Sequence, residues 1–169
     1  MKTIIEVSNI EAEQFFVQAA NYCNIDLPKY FNFQPLLTAL SNDNAAISTI
    51  GKDKVKKYQN VNYKFYNNKD GAFAWRPLQL INPALYVQLM KVITKKDNWE
   101  IIVKRFSEFQ QDEHIKCCSM PLFTLGHENP KKDTILNWWD NIEQQSLELS
   151  LEYNCMLNTD ITDCYGSIY

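Results

Sequence analysis

The sequence predicts an α+β fold, and three observations carry this prediction. Several segments place apolar residues at helical spacing. The longest of them are 83–93, 99–109 and 134–153. The stretch 61–65 alternates apolar and polar residues as a half-buried strand does, and 73–80 is predicted to be the returning strand of a hairpin. The length of 169 residues suffices for one domain with a hydrophobic core.

The first helix is predicted from the sequence Ser8-Asn9-Ile10-Glu11, which has the pattern of a capping box. The Ser8 hydroxyl can accept from the third helical N–H, and Glu11 can reach back to the cap. We expect this helix to continue to about Tyr22, with an inward face of Ile10, Phe15, Phe16 and Ala19 or Ala20. A second helix is predicted from Pro35 to Ser41, with Leu36, Leu37 and Leu40 as its apolar residues.

The hairpin is predicted from Val61, Tyr63 and Phe65, which alternate with polar residues, and from the turn residues Asp70-Gly71. An Asp-Gly pair supplies the positive φ that tight hairpins need. Arg76-Pro77 lies in the returning strand, and Pro cannot donate a ladder hydrogen bond. We therefore expect this strand to be an edge strand or to contain a bulge there.

The helix after the hairpin is predicted to begin at Asn82-Pro83, because Asn caps a helix and Pro suits its first position. Its expected buried residues are Leu85, Leu89, Val92 and Ile93. The next helix, 99–109, is expected to bury Ile102, Val103 and Phe106.

The C-terminal third of the chain is predicted to contain one long helix between two strands. The expected order is a strand His114–Leu122, a loop Gly126–Lys132, a helix Thr134–Tyr153 and a short strand Met156–Ile161. The apolar residues of the long helix are Ile135, Trp138, Trp139, Ile142, Leu147 and Leu151. The adjacent tryptophans are more typical of one core ring and one exposed ring than of a base-stacking platform.

The charge and the cysteines restrict the function classes. The formal net charge of -3 counts against a stand-alone nucleic-acid binder, since such proteins are usually basic. Five cysteines without a zinc spacing or a disulfide framework predict reduced thiols and a cytoplasmic location. The charged N-terminus does not have the pattern of a signal peptide, and no run of about 20 apolar residues predicts a membrane span.

The segment Asp160-Ile161-Thr162-Asp163-Cys164-Tyr165-Gly166-Ser167-Ile168 follows the predicted last strand. This pattern resembles the first palm motif of bacterial reverse transcriptases of the group II intron, retron and phage-defence types. The resemblance implies that Asp160 is the first metal ligand and that the Ile161 carbonyl assists it. It also implies that Asp163 and Cys164 direct backbone N–H groups to the triphosphate, and that Tyr165 lies under the nucleotide sugar. The alternative reading is an ordinary acidic turn or helix cap after a strand.

The expected cofactor is Mg²⁺. Phosphoryl transfer needs two divalent cations that clamp the attacking and leaving oxygens, and magnesium prefers carboxylate oxygens. The resemblance gives the reaction as addition of deoxynucleotides to a DNA primer on an RNA template.

The hairpin carries the second part of the resemblance. Lys69-Asp70-Gly71, followed by Arg76-Pro77-Leu78, is similar to the fingers hairpin of the same family. There the implied role of Lys69 and Arg76 is to bind the triphosphate of the incoming nucleotide, and an Arg fork can do so bidentately. Four residues separate Gly71 from Arg76, where the family often has two or three, which weakens the assignment of Lys69. The alternative for Arg76 is a surface stack on Trp75 or Tyr63.

The resemblance divides the chain into an N-terminal helical segment 1–58, fingers 59–154 and the start of a palm 155–169. The later aromatic-x-Asp-Asp motif of the family does not occur in the sequence, so we expect a fragment that is inactive alone. The second hypothesis is a non-catalytic module from the same family that binds RNA, a protein partner or another copy of itself. The lysines at 52–57 and 131–132 could contact a nucleic-acid backbone, although such runs are more often solvated faces. A role in phage defence rests on the resemblance alone.

Overall fold

The computed structural model describes residues 2–23, 27–28, 30–43, 61–68, 71, 75–112, 114–127 and 130–160. Within them it has six α-helices and one antiparallel pair of strands, which confirms the α+β class. The elements are α1 (Asn9–Phe16), α2 (Ala19–Tyr22), α3 (Gln34–Asn42), β1 (Tyr63–Asn68), β2 (Trp75–Leu80), α4 (Pro83–Ile93), α5 (Lys96–Phe109) and α6 (Pro130–Glu152). Among the described helices, none is long and apolar enough to cross a membrane.

The predicted capping box is confirmed at the start of α1. The Glu11 N–H donates to Ser8 Oγ at 3.3 Å, and the Ser8 N–H donates to Glu11 Oε2 at 2.9 Å. The prediction of one helix to Tyr22 is wrong, because Gln18 is extended (φ -71°, ψ 138°) and separates α1 from α2. The expected inward position of Ile10 is also wrong, since its side chain is 65 % exposed.

The first of two core clusters joins the N-terminus to α5. Its buried members are Ile4, Val7, Ala12, Phe15, Trp99 and Met120. The Trp99 indole N–H donates to the Val7 carbonyl at 3.1 Å, so the polar edge of this large ring is satisfied inside the cluster. Beside this cluster, an isolated antiparallel bridge pairs the backbone of Thr3 with that of Leu122.

The second cluster packs α3 against α4 and α2. Its buried members are Val17, Tyr22, Leu37, Tyr86, Val87 and Met90. The predicted buried face of α4 is therefore wrong: Leu85, Leu89 and Val92 are exposed, and of the predicted set Ile93 alone packs on the core. α4 is apolar around most of its circumference, so its periodicity does not select one face.

The segment after α5 does not form the predicted strand His114–Leu122. Within its described residues, only Leu122 makes a bridge, while Ile115 is exposed. α5 itself begins three residues earlier than predicted and buries Trp99. Ile102 and Val103 are partly buried, but Phe106 is 38 % exposed, so the prediction for Phe106 is wrong.

Candidate functional site

The candidate site is built on the β1–β2 hairpin, whose register places Asn67 opposite Arg76 and Asn68 opposite Trp75. Side chains alternate between the two faces of a strand. One face, called here the inner face, contains Tyr63, Phe65, Asn67, Arg76, Leu78 and Leu80. The outer face contains Lys64, Tyr66, Asn68, Trp75, Pro77 and Gln79, and all six are exposed. Both strands are edges of this two-stranded sheet, as the Pro77 position led us to expect.

The base of the hairpin is anchored to the second core cluster. Leu80 packs against that cluster, and the Tyr22 hydroxyl donates to the Ile81 carbonyl. Burial raises the pKa of Tyr22, which favours the protonated hydroxyl that donates this hydrogen bond. The Asn82 N–H donates to Asn62 Oδ1 at 3.0 Å, which joins the two strand ends.

The tip of the hairpin projects away from this anchor. Gly71 has φ +77°, a region that favours glycine, and its N–H donates to Asn68 Oδ1 at 2.8 Å. The predicted positive-φ glycine is therefore confirmed. Lys69, the first predicted phosphate contact, lies outside the described residues, as does Asp70.

Arg76 lies on the inner face near the tip and is exposed. Trp75 points to the opposite face, so the alternation of the strand argues against a stack between these neighbours. Tyr63 shares the inner face, but Phe65 lies between it and Arg76, and the Phe65 ring packs on Tyr63 at 6.3 Å between centroids. A guanidinium in this position is accessible to a phosphate ligand.

The outer face has two exposed aromatic residues, of which the sequence analysis considered only Trp75, as a stacking partner of Arg76. Tyr66 is 66 % exposed, Trp75 is 63 % exposed, and Lys64 is on the same face. Aromatic rings beside a cation form surfaces on which bases can stack. The sequence contains part of this signal, because Lys64 and Tyr66 are two positions apart in a predicted strand. The register of the hairpin then shows that Trp75 lies on the same face.

Asp160 lies at the end of the segment 155–160, which has no regular secondary structure and in which every residue is exposed. The predicted strand Met156–Ile161 does not form over its described residues 156–160. A strand needs a neighbour to receive its hydrogen bonds, and neither β1 nor β2 pairs with this segment. Four predicted contacts, Ile161, Asp163, Cys164 and Tyr165, lie outside the described residues.

The donor set for a metal is correspondingly small. In the part of the chain that the structure describes, no three His, Cys, Asp or Glu side chains come together in a way that could hold a metal ion. Asp160 offers one carboxylate, which is the ligand type that Mg²⁺ prefers, but a two-metal reaction needs more than one.

The long helix α6 begins at Pro130, earlier than predicted, and buries none of its residues. Most of the apolar residues named for this helix are more than half exposed: Ile135, Trp139, Ile142, Leu147 and Leu151. Trp138 is partly buried, and its indole N–H donates to the Met120 carbonyl at 3.4 Å. The tryptophan pair thus divides into one packed ring and one exposed ring, as predicted.

His127 Nδ1 and Asp133 Oδ2 are 2.7 Å apart at the start of α6. The described cysteines 23, 117, 118 and 155 are thiols without disulfide bonds.

Neither the protein-family models nor the curated proteins include a match to this chain. The site residues must therefore be judged by their chemistry and their position in the fold.

Proposed function

We propose that this chain provides the fingers and the first palm motif of an RNA-directed DNA polymerase. The observation that carries the proposal is the order of two patterns in one chain: Arg76-Pro77 in a hairpin, followed by Asp160 to Ile168 with an acid, an aliphatic residue and an aromatic at the family's spacing. The exposed position of Arg76 on a projecting hairpin supports it.

In this proposal the negatively charged triphosphate of the incoming nucleotide is bound by the hairpin on one side and by the palm segment on the other. Arg76, with Lys69, donates hydrogen bonds to the triphosphate, and the backbone N–H groups of Asp163 and Cys164 donate from the palm side. The Asp160 carboxylate and the Ile161 carbonyl would hold Mg²⁺, which when bound neutralises the charge that develops on the phosphoryl oxygens.

Tyr165 would select the sugar. A bulky ring under the ribose position clashes with a 2′-hydroxyl, so deoxynucleotides are preferred over ribonucleotides. The template is RNA, the primer is DNA, and a role in phage defence belongs to the same proposal.

The proposal requires that residues 155–160 pair with a further palm strand and that other carboxylates join Asp160. This is because one carboxylate does not hold two ions. We therefore expect the 169-residue chain alone to add no nucleotides to a primer.

The test is primer extension by the native gene product on an RNA template with Mg²⁺. Asp160→Ala should reduce extension to background. Arg76→Ala should lower kcat/KM for the deoxynucleotide by about 10- to 100-fold, because a charge-assisted hydrogen bond contributes roughly 1.5–3 kcal/mol. Arg105→Ala is the matched control, since Arg105 is also exposed but pairs with Glu108 on α5.

Retention of extension by Asp160→Ala would overturn the polymerase proposal. An equal loss in Arg76→Ala and Arg105→Ala would remove the specific role of Arg76.

The second candidate is a non-catalytic module that binds another protein. The observation that favours it is the uncovered apolar surface of α6, together with the net charge of -3, which suits a protein partner better than RNA. A binding module would keep its function in Asp160→Ala, whereas an enzyme would lose it.

A further inference from the structure

The outer face of the β1–β2 hairpin carries two aromatic rings and a cation that the polymerase proposal leaves unused. Tyr66 and Trp75 lie on this face with Lys64. Within the described chain neither ring contacts another aromatic ring, and the Lys64 ammonium forms no ion pair. These three residues are called the hairpin surface.

The register of the strands sets the distance between the two rings. Tyr66 is paired with Pro77, and Trp75 is paired with Asn68, so Tyr66 and Trp75 are diagonal neighbours. The Cβ atoms of such a pair are about 7–8 Å apart. Bases in a stack are about 3.4 Å apart, so this separation admits one base between the two rings.

The charge of the chain is concentrated around this hairpin. Residues 52–80 contain seven of the 17 basic residues and two of the 20 acidic residues, which gives this segment a net charge of +5 and the rest of the chain −8. The described hairpin strands carry Lys64 and Arg76 and no acidic residue. The total charge of -3 therefore hides a basic segment that suits a polyanion.

We propose that the hairpin surface binds single-stranded RNA, with bases stacked on Trp75 and Tyr66 and a backbone phosphate at Lys64. The rings select an unpaired strand, because the faces of paired bases are covered by their neighbours in a duplex. This surface lies on the side of the hairpin opposite to Arg76.

A hydrogen-bonding group beside the rings is the reason to name RNA and not DNA. Gln79 is exposed and lies directly opposite Lys64. Its Oε1 accepts from Asn62 Nδ2 at 3.3 Å, and its own N–H groups donate no hydrogen bond within the described chain. These donors suit the 2′-hydroxyl oxygen that distinguishes RNA from DNA.

The first test is the fluorescence anisotropy of a labelled oligouridine of about 12 nucleotides, titrated with the 169-residue chain. We expect a dissociation constant on the order of 10 micromolar. Trp75→Ala should weaken binding by about 5- to 100-fold, because it removes one stacking ring. Trp139→Ala on α6 is the matched control, with 64 % exposure against 63 % for Trp75, and should bind like the wild type.

The second test separates the two faces of the hairpin. Tyr66→Ala should weaken binding, whereas Tyr63→Ala, on the inner face of the same strand, should not. The two side chains are similarly exposed, at 66 % and 70 %. Circular dichroism of both variants verifies that the fold is intact.

The third test measures the phosphate contact. Lys64→Ala should reduce the slope of log affinity against log salt by about 0.7, the value for one phosphate of a single strand. Lys104→Ala, an exposed lysine on α5, should leave the slope unchanged.

Equal losses in Trp75→Ala and Trp139→Ala, or in Tyr66→Ala and Tyr63→Ala, would overturn the hairpin surface as the binding site. Equal binding of a duplex RNA or of an oligoglutamate peptide would overturn the stacking of unpaired bases. Equal binding of oligothymidine would overturn the assignment to RNA. The polymerase proposal fails separately, because its readout is nucleotide incorporation and Asp160→Ala should bind RNA like the wild type.

Discussion

The two core clusters differ from the β1–β2 hairpin and α6 in how much of their apolar surface is buried. The clusters bury large rings and satisfy their polar atoms internally, as Trp99 and Tyr86 do. The hairpin tip and α6 are held at few points and expose their aromatic and apolar side chains. The candidate residues that the structure describes, Arg76 on the hairpin and Asp160 after α6, are both exposed.

From this difference we predict that stability and the proposed function depend on separate residues. Substitutions in the clusters should change the free energy of unfolding, whereas substitutions on the hairpin and α6 should change binding with little cost in stability. The following predictions test that separation, beginning with the largest expected effect.

Leu37→Ala is expected to lower the free energy of unfolding by about 2–5 kcal/mol, because it opens a cavity in the second cluster. Leu37 is fully buried, whereas its neighbour Leu36 is 46 % exposed on the same helix. Leu36→Ala is therefore the matched control and should cost less than about 1 kcal/mol. Urea unfolding of both variants measures the difference, and equal losses would show that the cluster does not dominate stability.

Tyr86→Phe is expected to cost about 1–3 kcal/mol, because the Tyr86 hydroxyl donates to the Phe16 carbonyl at 2.8 Å and that carbonyl would lose its partner. Tyr63→Phe, at an exposed position on the hairpin, should be close to neutral. Urea unfolding at neutral pH measures both.

The same tyrosine gives an alkaline pH dependence. Burial raises the pKa of Tyr86 from its ordinary value of 10.0 to about 12. The folded state therefore favours the protonated phenol, so its contribution to stability is complete below pH 10 and is lost as the pH rises toward 12. Ultraviolet titration of tyrosinate should show late-ionising groups, since burial also raises the pKa of Tyr22, and Tyr86→Phe should remove one of them. An unchanged titration in that variant would contradict the assignment.

Ser8→Ala is expected to have the smallest effect of the three, about 1 kcal/mol, because it removes the N-terminal cap of α1. The hydrogen bonds from the Ser8 hydroxyl and N–H hold the pKa of Glu11 below its ordinary value of 4.5. The stabilisation from this depressed pKa is complete above pH 4.5 and is lost as the pH falls below it. Acid unfolding should show a weaker pH dependence in Ser8→Ala than in Ser150→Ala, the control on α6, and identical profiles would argue against the cap.

Local signals in the sequence predicted local structure well. The capping box at Ser8, the helix start at Asn82-Pro83 and the positive φ of Gly71 are all confirmed, because each depends on residues within three or four positions of one another. Helical spacing likewise predicted that one of the two adjacent tryptophans packs and the other is exposed, as Trp138 and Trp139 are.

Features that depend on distant partners were predicted less well. The buried face of α4 depends on which of its many apolar residues meets α3, and the Tyr86 bond to Phe16 cannot be read from α4 alone. The predicted strands at 114–122 and 156–161 had suitable composition, but within their described residues a single bridge, at Leu122, is all the pairing that forms.

The candidate site was predicted in part: the hairpin agrees with the sequence prediction, and the roles of the other site residues stay predictions. The register and the exposure of Arg76 agree with the sequence prediction of an edge-strand hairpin. The roles of Asp160, Lys69 and Tyr165 stay predictions, since they depend on a nucleotide, a metal and residues beyond those described.

The bridge between Thr3 and Leu122 has a consequence for the order of events during synthesis. The Ile4 N–H donates to the Pro121 carbonyl at 2.9 Å, and the Phe123 N–H donates to the Lys2 carbonyl at 3.0 Å. Residues 2–4 thus find their backbone partners among residues made more than a hundred positions later. Long-range contacts of this kind slow folding, because a large loop must close first. Until that closure Ile4 and Val7 lack the contacts with Trp99 and Met120 that complete their cluster.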